Sequence, residues 1–594
     1  MSQQDSKEMA KHFYRASSAD FKKIPGSPIT YWMKSNIRDF FTKYELLKNI
    51  AEPRPGLSST NNGKFLRQWY ECNLNNMCFE ASSSSEAKLS GARWFPFNKG
   101  GDARKWYGNR EFVVNWFNDG QDIKRAAEGA SGGRVVSEEY YFLESVSASA
   151  IASDENSYRY YPPGALFDVN FRSYFSTKGI TFLGLIGFLN SKVSRMMLGF
   201  ISSTVALNKV DLERLPFVPV GDAAEIYVSK LISLSKQDWN SNEFSWGFLS
   251  IQLLNDEHCK SVIKKNYQKL RTNWLETTLE MQRLEQENNR LFIDAYGLQD
   301  ELTPEVPLSE ITLTCNPHYR YGGNLTDKER EERLQSDTIA ELISYAIGCM
   351  MGRYSLDREG LVYAHAGNEG FKALVEEGAY STFAADDDGI LPLTAENWFS
   401  DDVAARIEAF VATVWGKETL EENLNFIADS LCLSAIKPVK KGGETARETI
   451  RRYLSTQFYK DHMKTYKKRP IYWLFSSGKE KAFECLVYLH RYSESTLPRM
   501  RTEYVTPLLG QIASRIERKR MEQTEASTAE AKRIGKEIDS LTKQLSELRA
   551  FDDQLKHHAD MRITLDLDDG VKVNYGKFGT LLSDVKAITG DKGE

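Results

Sequence analysis

The sequence predicts an α+β, multidomain protein: a mixed α/β domain followed by a mainly helical region that contains an antiparallel coiled-coil hairpin. Three observations lead there. A chain of 594 residues exceeds what one core serves and implies roughly three to five domains. Near Asp238 the texture changes from short strand-like runs, broken by Gly, Asn, Ser and Pro, to long stretches of helical spacing. Finally, Ile534, Ile538, Leu541, Leu545, Leu548, Phe551 and Leu555 recur at spacings of four and three, the a/d seam of a coiled coil.

Taken in order, residues 1–23 read as an N-terminal connector leading to IPGSPITYW, where prolines and a glycine mark a domain entrance. Residues 24–235 form the mixed domain. Its strand-like runs include EFVVNWFNDG and ALFDVNF; ITFLGLIGFLNSKVSRMMLGFI then turns helical, and the prolines of VDLERLPFVPV close it. Residues 236–435 read as a helical connector domain, with one long amphipathic segment ended by Gly297 and a second, DTIAELISYAIGCMMGRY, that buries an apolar face. Residues 436–497 read as a basic helical region. The hairpin occupies 498–558, with Leu508, Ile512 and Ile516 on its first arm and EQTEASTAE as its hinge. Within 559–594, RITLDLDDGVKVNY alternates with period two and predicts a C-terminal β-hairpin turning at Asp569 and Gly570.

Composition narrows the function. No apolar run reaches membrane-spanning length and the N-terminus lacks the apolar core of a signal peptide, so a cytoplasmic protein with no membrane partner is expected. Seven cysteines are scattered singly, with no CxxC pair, which predicts reduced thiols and no metal site. The net charge of -5 conceals a division: residues 1–220 hold 28 Lys and Arg against 22 Asp and Glu. The overall charge by itself argues against a general polyanion binder, and the basic surplus is confined to this first part of the chain.

The densest candidate lies there, in WFPFNKGGDARKWYGN, Trp94 to Asn109. Rings, paired glycines and cations in one run fit a rigid loop that anchors itself and presents charge to phosphate. A second coincidence of cations and rings spans residues 437–469, with eleven Lys and Arg against three acids and with Tyr453, Phe458, Tyr459 and Tyr466 interleaved. The triplet Asp386–Asp388 reads as a solvated turn rather than a cation site. No GxSxG, GxxxxGK[ST] or strand-borne GxGxxG is present. Cys-Asn-Pro-His-Tyr at 315–319 is a near miss of the Asn/Asp-Pro-Pro-Tyr/Phe motif of adenine-amine methylases, with His318 where the second proline belongs. No catalytic residue is assigned.

The runs FKKIPGSPITYW, PRPGLSSTNNGKFLRQWYE, WFPFNKGGDARKWYGN, SYRYYPPGALFDV, YAIGCMMGRYSLDREGL, DDDGILPL, FYKDHMKTYKKRPIYWLFSSGK and MRITLDLDDGVKVNYG extend over nearly the whole chain. Through them it resembles the C-terminal half of the PglX proteins, adenine-specific DNA methyltransferases of BREX phage-defence systems. This resemblance implies that residues 24–235 resemble a DNA target-recognition domain. It further implies that the catalytic domain, with its S-adenosylmethionine loop and Asn-Pro-Pro-Tyr motif, precedes the segment where this chain starts. A split product, a truncated gene or a fragment is thus expected, binding no cofactor itself. The expected partners are double-stranded DNA, a separate methyltransferase half and other defence-system proteins. Expected phosphate contacts are Lys99, Arg104 and Lys105; Arg93, Trp106, Tyr107 and Arg159 are expected to bind DNA beside them, and Arg451, Arg452, Lys467, Lys468 and Arg469 supply the second basic region. Candidates for base edges are Arg54, Asn61, Asn62, Lys64 and Arg67, since Arg suits guanine and Asn suits adenine. The alternative is a protein-interaction scaffold of the defence complex with incidental DNA affinity.

Overall fold

The computed structural model describes residues 17–590 apart from 25, 28, 32, 150–156, 177, 202–208, 255–261 and 440–442. Most of the N-terminal connector thus lies outside the described residues. The chain forms two compact units, the first from Met1–Leu66, Cys78–Trp239 and Trp274–Gly322, the second from Arg67–Met77, Asn240–Asn273 and Gly323–Glu594.

The first unit is built on short strands, as its Gly- and Pro-broken runs require. One antiparallel sheet orders Ala51–Arg54, Phe171–Ser176, Ser145–Ser149 and Arg159–Tyr161. In another, Trp94–Asn98 pairs antiparallel with Phe112–Asn115 and parallel with Leu166–Phe167. Its core holds Phe95, Phe97, Val114, Trp116 and Ile123. A second core joins Leu185, Phe188 and Leu189 of helix Phe182–Leu189 to Val193 and Met197 of helix Lys192–Ile201. Val228 and Leu231 of Asp222–Asn240, and Met281, Leu284 and Phe292 of Ile263–Tyr296, complete it. All-round apolar composition explains why Phe182–Leu189 is buried on nearly every side.

The second unit is mainly helical. Thr326 with Glu329, and Thr445 with Glu448, form capping boxes that start helices Asp327–Met350 and Ala446–Tyr453. Asp402 caps Val403–Trp415, and Leu420–Ser434 packs beside it. Helices Thr506–Glu525 and Thr528–Asp560 pack together, burying Leu508, Ile512 and Ile516 on one and Ile534, Leu541, Leu548, Phe551 and Leu555 on the other.

Two expectations are corrected here. The region 436–497 is not purely helical: Tyr472–Ser476 and Ile390–Pro392 flank Glu484–Tyr488 in an antiparallel sheet. Their runs YWLFS and ECLVY are buried on almost every residue, so they lack the alternation that marks a half-exposed strand. The expected C-terminal β-hairpin does not form either. Residues Gly570–Gly576 form a short helix whose Val571 and Tyr575, four apart, are buried together. The Asn574 amide donates to the Gly570 carbonyl at 3.0 Å.

Candidate nucleic-acid interface

The strand Trp94–Asn98 is buried throughout and carries the chain through Gly100 and Gly101 to a bend at Asp102 and Ala103. Beyond that bend the loop runs inward, contrary to its cationic composition. The Arg104 guanidinium pairs with Asp238 and donates to the Tyr107 carbonyl at 3.1 Å and the Thr314 hydroxyl at 3.0 Å. It lies 5.1 Å from the Trp239 ring. Lys105 Nζ is 2.5 Å from Glu285, whose other oxygen accepts from Trp106 Nε1 at 2.7 Å. The side chains of Arg104 and Lys105 are only 5% and 8% exposed.

A buried unpaired charge is costly, and each cation here meets a carboxylate, so the charges are consumed internally. Gly108 serves the same interior. At its φ of 134°, a Cβ would fall 2.6 Å from Arg104 Cδ and 2.9 Å from Trp239. The glycine makes room for the arginine, where the sequence suggested room for a ligand. Arg159 is fully enclosed and donates to the Arg104 carbonyl at 2.8 Å and the Tyr161 hydroxyl at 3.0 Å. Trp106 and Tyr107 are also buried, with the Tyr107 hydroxyl accepting from Arg110 at 2.8 Å. The expected DNA-binding role of Arg104, Lys105 and Arg159, and of the two rings beside them, is corrected to a framework role.

The remaining candidate cations of this unit sit nearer solvent. Lys99 is half-buried, its Nζ 5.5 Å from the Phe112 ring, and Arg93 lies 5.7 Å from Phe117. Arg54 pairs with Glu52 at 2.7 Å and lies over Tyr140. The most open segment is Thr60–Lys64, exposed at every residue. Thr60 takes a left-handed φ of 56°, and Asn61 Oδ1 accepts from Lys64 N at 3.0 Å, capping the helical turn Asn62–Phe65. The Ser59 hydroxyl donates to Asn62 Oδ1. Local bonds thus fix this tip while Lys64 remains in solvent.

Beside it, Ser58 N donates to the Arg134 carbonyl at 2.7 Å, which brings Arg134 to the same edge. The sequence reading missed Arg134. Its local signal is Ser-Gly-Gly-Arg, a glycine pair before a cation, as in the longer loop.

In the second unit, Arg67 Nε and Nη2 donate to the Asp568 carbonyl at 3.1 and 2.8 Å, and the residue is buried. Its expected base contact is corrected to a clamp on the C-terminal segment. Arg451 pairs with Asp402 and donates to the Thr394 carbonyl at 3.1 Å; Arg452 is held bidentately by Glu444 at 2.8 and 2.9 Å. Both are engaged on the fold. Lys467 and Lys468 are exposed, with consecutive left-handed φ of 49° and 59°, while half-buried Arg469 lies 3.9 Å from Glu71. Tyr453, Phe458, Tyr459 and Tyr466 are all buried, so the rings between these cations are not a stacking platform.

The acidic triplet is also partly enclosed. Asp386 Oδ1 accepts from Asp388 N and Gly389 N, and Asp388 Oδ2 accepts from the Tyr504 hydroxyl at 3.0 Å. Burial, with Asp386 adjacent, pushes the Asp388 carboxyl up to about 7. The expectation of a solvated turn is corrected for Asp388, whose side chain is 4% exposed. Among the described residues no group of three or more His, Cys, Asp or Glu is arranged to hold a metal ion, and no helix is long and apolar enough to cross a membrane.

Two curated proteins match nearly the whole chain. It is 48% identical over 578 residues to the adenine-specific methyltransferase BrxX of Escherichia coli O9:H4 (strain HS). It is 36% identical over 592 residues to the adenine-specific methyltransferase PglX of Lacticaseibacillus casei (strain Zhang). Each match covers 97% of this chain but 46% of the relative, so the chain spans about half the length of the curated relatives it matches. No protein-family model matches it.

With methyltransferases as relatives, Cys315–Tyr319 is the segment to weigh, because an asparagine before proline is the residue type that accepts hydrogen bonds from an adenine amine. Asn316 is fully buried and already committed. Its Nδ2 donates to the Leu308 and Ile311 carbonyls at 2.7 and 2.8 Å, and its Oδ1 accepts from His318 N at 3.1 Å. It caps the turn Pro317–Arg320, with proline at the favoured first position.

Proposed function

We propose that this chain is the DNA-holding, sequence-recognition portion of a phage-defence adenine-specific DNA methyltransferase. In this reading, methyl transfer from S-adenosylmethionine to the adenine amine is performed by a catalytic half outside the chain. The observation that carries it is the match over 97% of the chain to two adenine-specific methyltransferases that are each about twice as long.

Within the first unit, the edge formed by Asn61, Asn62, Lys64 and Arg134 is assigned to the duplex. It combines cations, which meet phosphate, with exposed amides that suit adenine edges. Lys99 and Arg93 extend the electrostatic contact. Lys467 and Lys468 are assigned a separate phosphate contact from the second unit. Specificity comes from the first unit and general affinity from both.

Duplex binding measured by fluorescence anisotropy at graded salt tests this assignment. The variant carrying K64E and R134E is expected to bind roughly tenfold or more weakly and to lower the salt slope by about one for each phosphate no longer neutralised. The N61A/N62A variant is expected to relax sequence preference with little change in that slope. Unchanged affinity and slope in the charge-reversal variant would overturn the assignment and favour the scaffold reading.

A further inference from the structure

The second unit encloses an arginine without a carboxylate in direct contact among the described residues. Arg353 follows helix Asp327–Met350 and is fully buried. Its Nε donates to the Tyr354 hydroxyl at 3.1 Å and Nη1 to the Tyr488 hydroxyl at 2.9 Å. The Trp69, Tyr354 and Tyr488 rings lie 5.5, 5.4 and 5.9 Å from its Cζ, which spreads the charge over three π faces. The remaining nitrogen, Nη2, has no hydrogen-bond partner.

Around it stand other buried polar atoms in the same condition: Glu243 Oε1, the Tyr466 and Tyr472 hydroxyls and His462 Nδ1. They belong to one neighbourhood. The Arg353 charge favours the ionised form of Glu243, and the Tyr466 hydroxyl lies close enough to that carboxyl to act on it as a hydrogen-bonding neighbour; Arg353 and Glu243 both act on the hydroxyls of Tyr466 and Tyr472. The His462 ring is 4.6 Å from Tyr466 and 4.8 Å from Tyr472. Its Nε2 accepts from Ile471 N and Tyr472 N, each at 3.1 Å, which leaves the proton on Nδ1. Gly348 keeps the site open: a Cβ there would lie 3.1 Å from the Tyr472 hydroxyl and 2.5 Å from the Tyr354 ring.

Buried polar atoms left unpaired are costly, so five in one place require a common partner. The set is donor-rich, with a guanidinium N–H, two hydroxyls and an imidazole N–H against one carboxylate oxygen. A water fits up to four of them: its two lone pairs accept from two donors, while its hydrogens reach the carboxyl oxygen and a tyrosine oxygen. We propose that these groups line an internal hydration site, whose ordered water links the Glu243 carboxyl to Arg353. The site ties helix Asp327–Met350 to the strand Tyr472–Ser476, and through Trp69 and Tyr70 to the segment Arg67–Met77, since the Tyr70 hydroxyl donates to the Tyr466 carbonyl at 3.0 Å.

A high-resolution crystal structure of the full chain, with bromide-soaked crystals as a companion, tests the site. The expected result is a water within hydrogen-bond distance of Arg353 Nη2 and of at least two of the other four atoms. Direct pairing of Arg353 Nη2 with Glu243 Oε1, or an anomalous bromide peak at Arg353, would overturn it. Thermal unfolding of Y466F and Y472F gives a second readout, because deleting a truly unpartnered hydroxyl costs nothing while deleting one bonded to water lowers stability. Each variant is expected to melt roughly 2–4 °C lower. An unchanged or raised melting temperature in both refutes the site.

Discussion

Replacing Glu243 with glutamine should change how stability depends on pH. The Glu243 Oε1 atom is enclosed, and Oε2 accepts from the Ser344 hydroxyl at 2.7 Å. Loss of water raises the carboxyl to about 7; Ser344, Arg353 and Tyr466 oppose that rise, and Glu341 adds to it. In the unfolded chain the group titrates near 4.5. Between those values the folded state keeps a proton that the unfolded state has released. Stability therefore falls as pH rises through this window, and the deficit is complete above the folded value. A carboxyl displaced this far corresponds to about 3 kcal/mol at most.

Glutamine has no proton to lose and can still accept from Ser344. The E243Q protein should thus match the wild type near pH 4 and exceed it by up to about 3 kcal/mol near pH 8, read from denaturant midpoints across the range. Arg353 remains in place in both proteins, so the comparison isolates the carboxylate. If the two proteins show the same slope between these pH values, Glu243 does not carry the displaced proton and the reasoning fails.

Two further outcomes follow from the first unit. R104A takes the guanidinium away from buried Asp238, which keeps the Thr314 and Cys315 amides at 2.7 and 2.9 Å, and should destabilise the protein by about 3–5 kcal/mol. Chemical denaturation checks it, and a loss below about 1 kcal/mol would place the pair among weak surface contacts instead. N316A removes a helix cap and two donors to buried carbonyls, so a loss of about 2–4 kcal/mol is expected in the same assay, with an unchanged midpoint contradicting the capping role.

The helices were legible because their signals are local. Thr326-x-x-Glu329 and Thr445-x-x-Glu448 announce their starts within four residues. The spacing of Leu541, Leu548 and Leu555 likewise marks a buried seam without any distant partner. The strands Tyr472–Ser476 and Glu484–Tyr488 were not legible, because burial on both faces erases alternation. RITLDLDDGVKVNY failed in the opposite way. Its alternation was genuine, but buried Val571 and Tyr575 are four apart, and helical packing of that pair prevailed.

At the candidate interface, composition correctly marked the Trp94–Asn109 loop as a place where rings and cations act together. It gave the wrong direction. The acids that claim Arg104 and Lys105 stand 134 and 180 residues away, beyond the reach of any local pattern. The exposure of Asn61 and Lys64, by contrast, follows from local turn chemistry.

The segment Arg67–Met77 has a consequence for synthesis. Its bonds are to residues made far later: Arg67 and Glu71 reach Asp568 and Val571 across 501 and 500 positions, and Tyr70 reaches Tyr466 across 396. On a ribosome, this stretch of Trp69, Tyr70 and buried charge must wait without those partners while several hundred further residues are translated. A nonsense mutation at Asp566 would therefore strike the unit near its beginning as well as at its end.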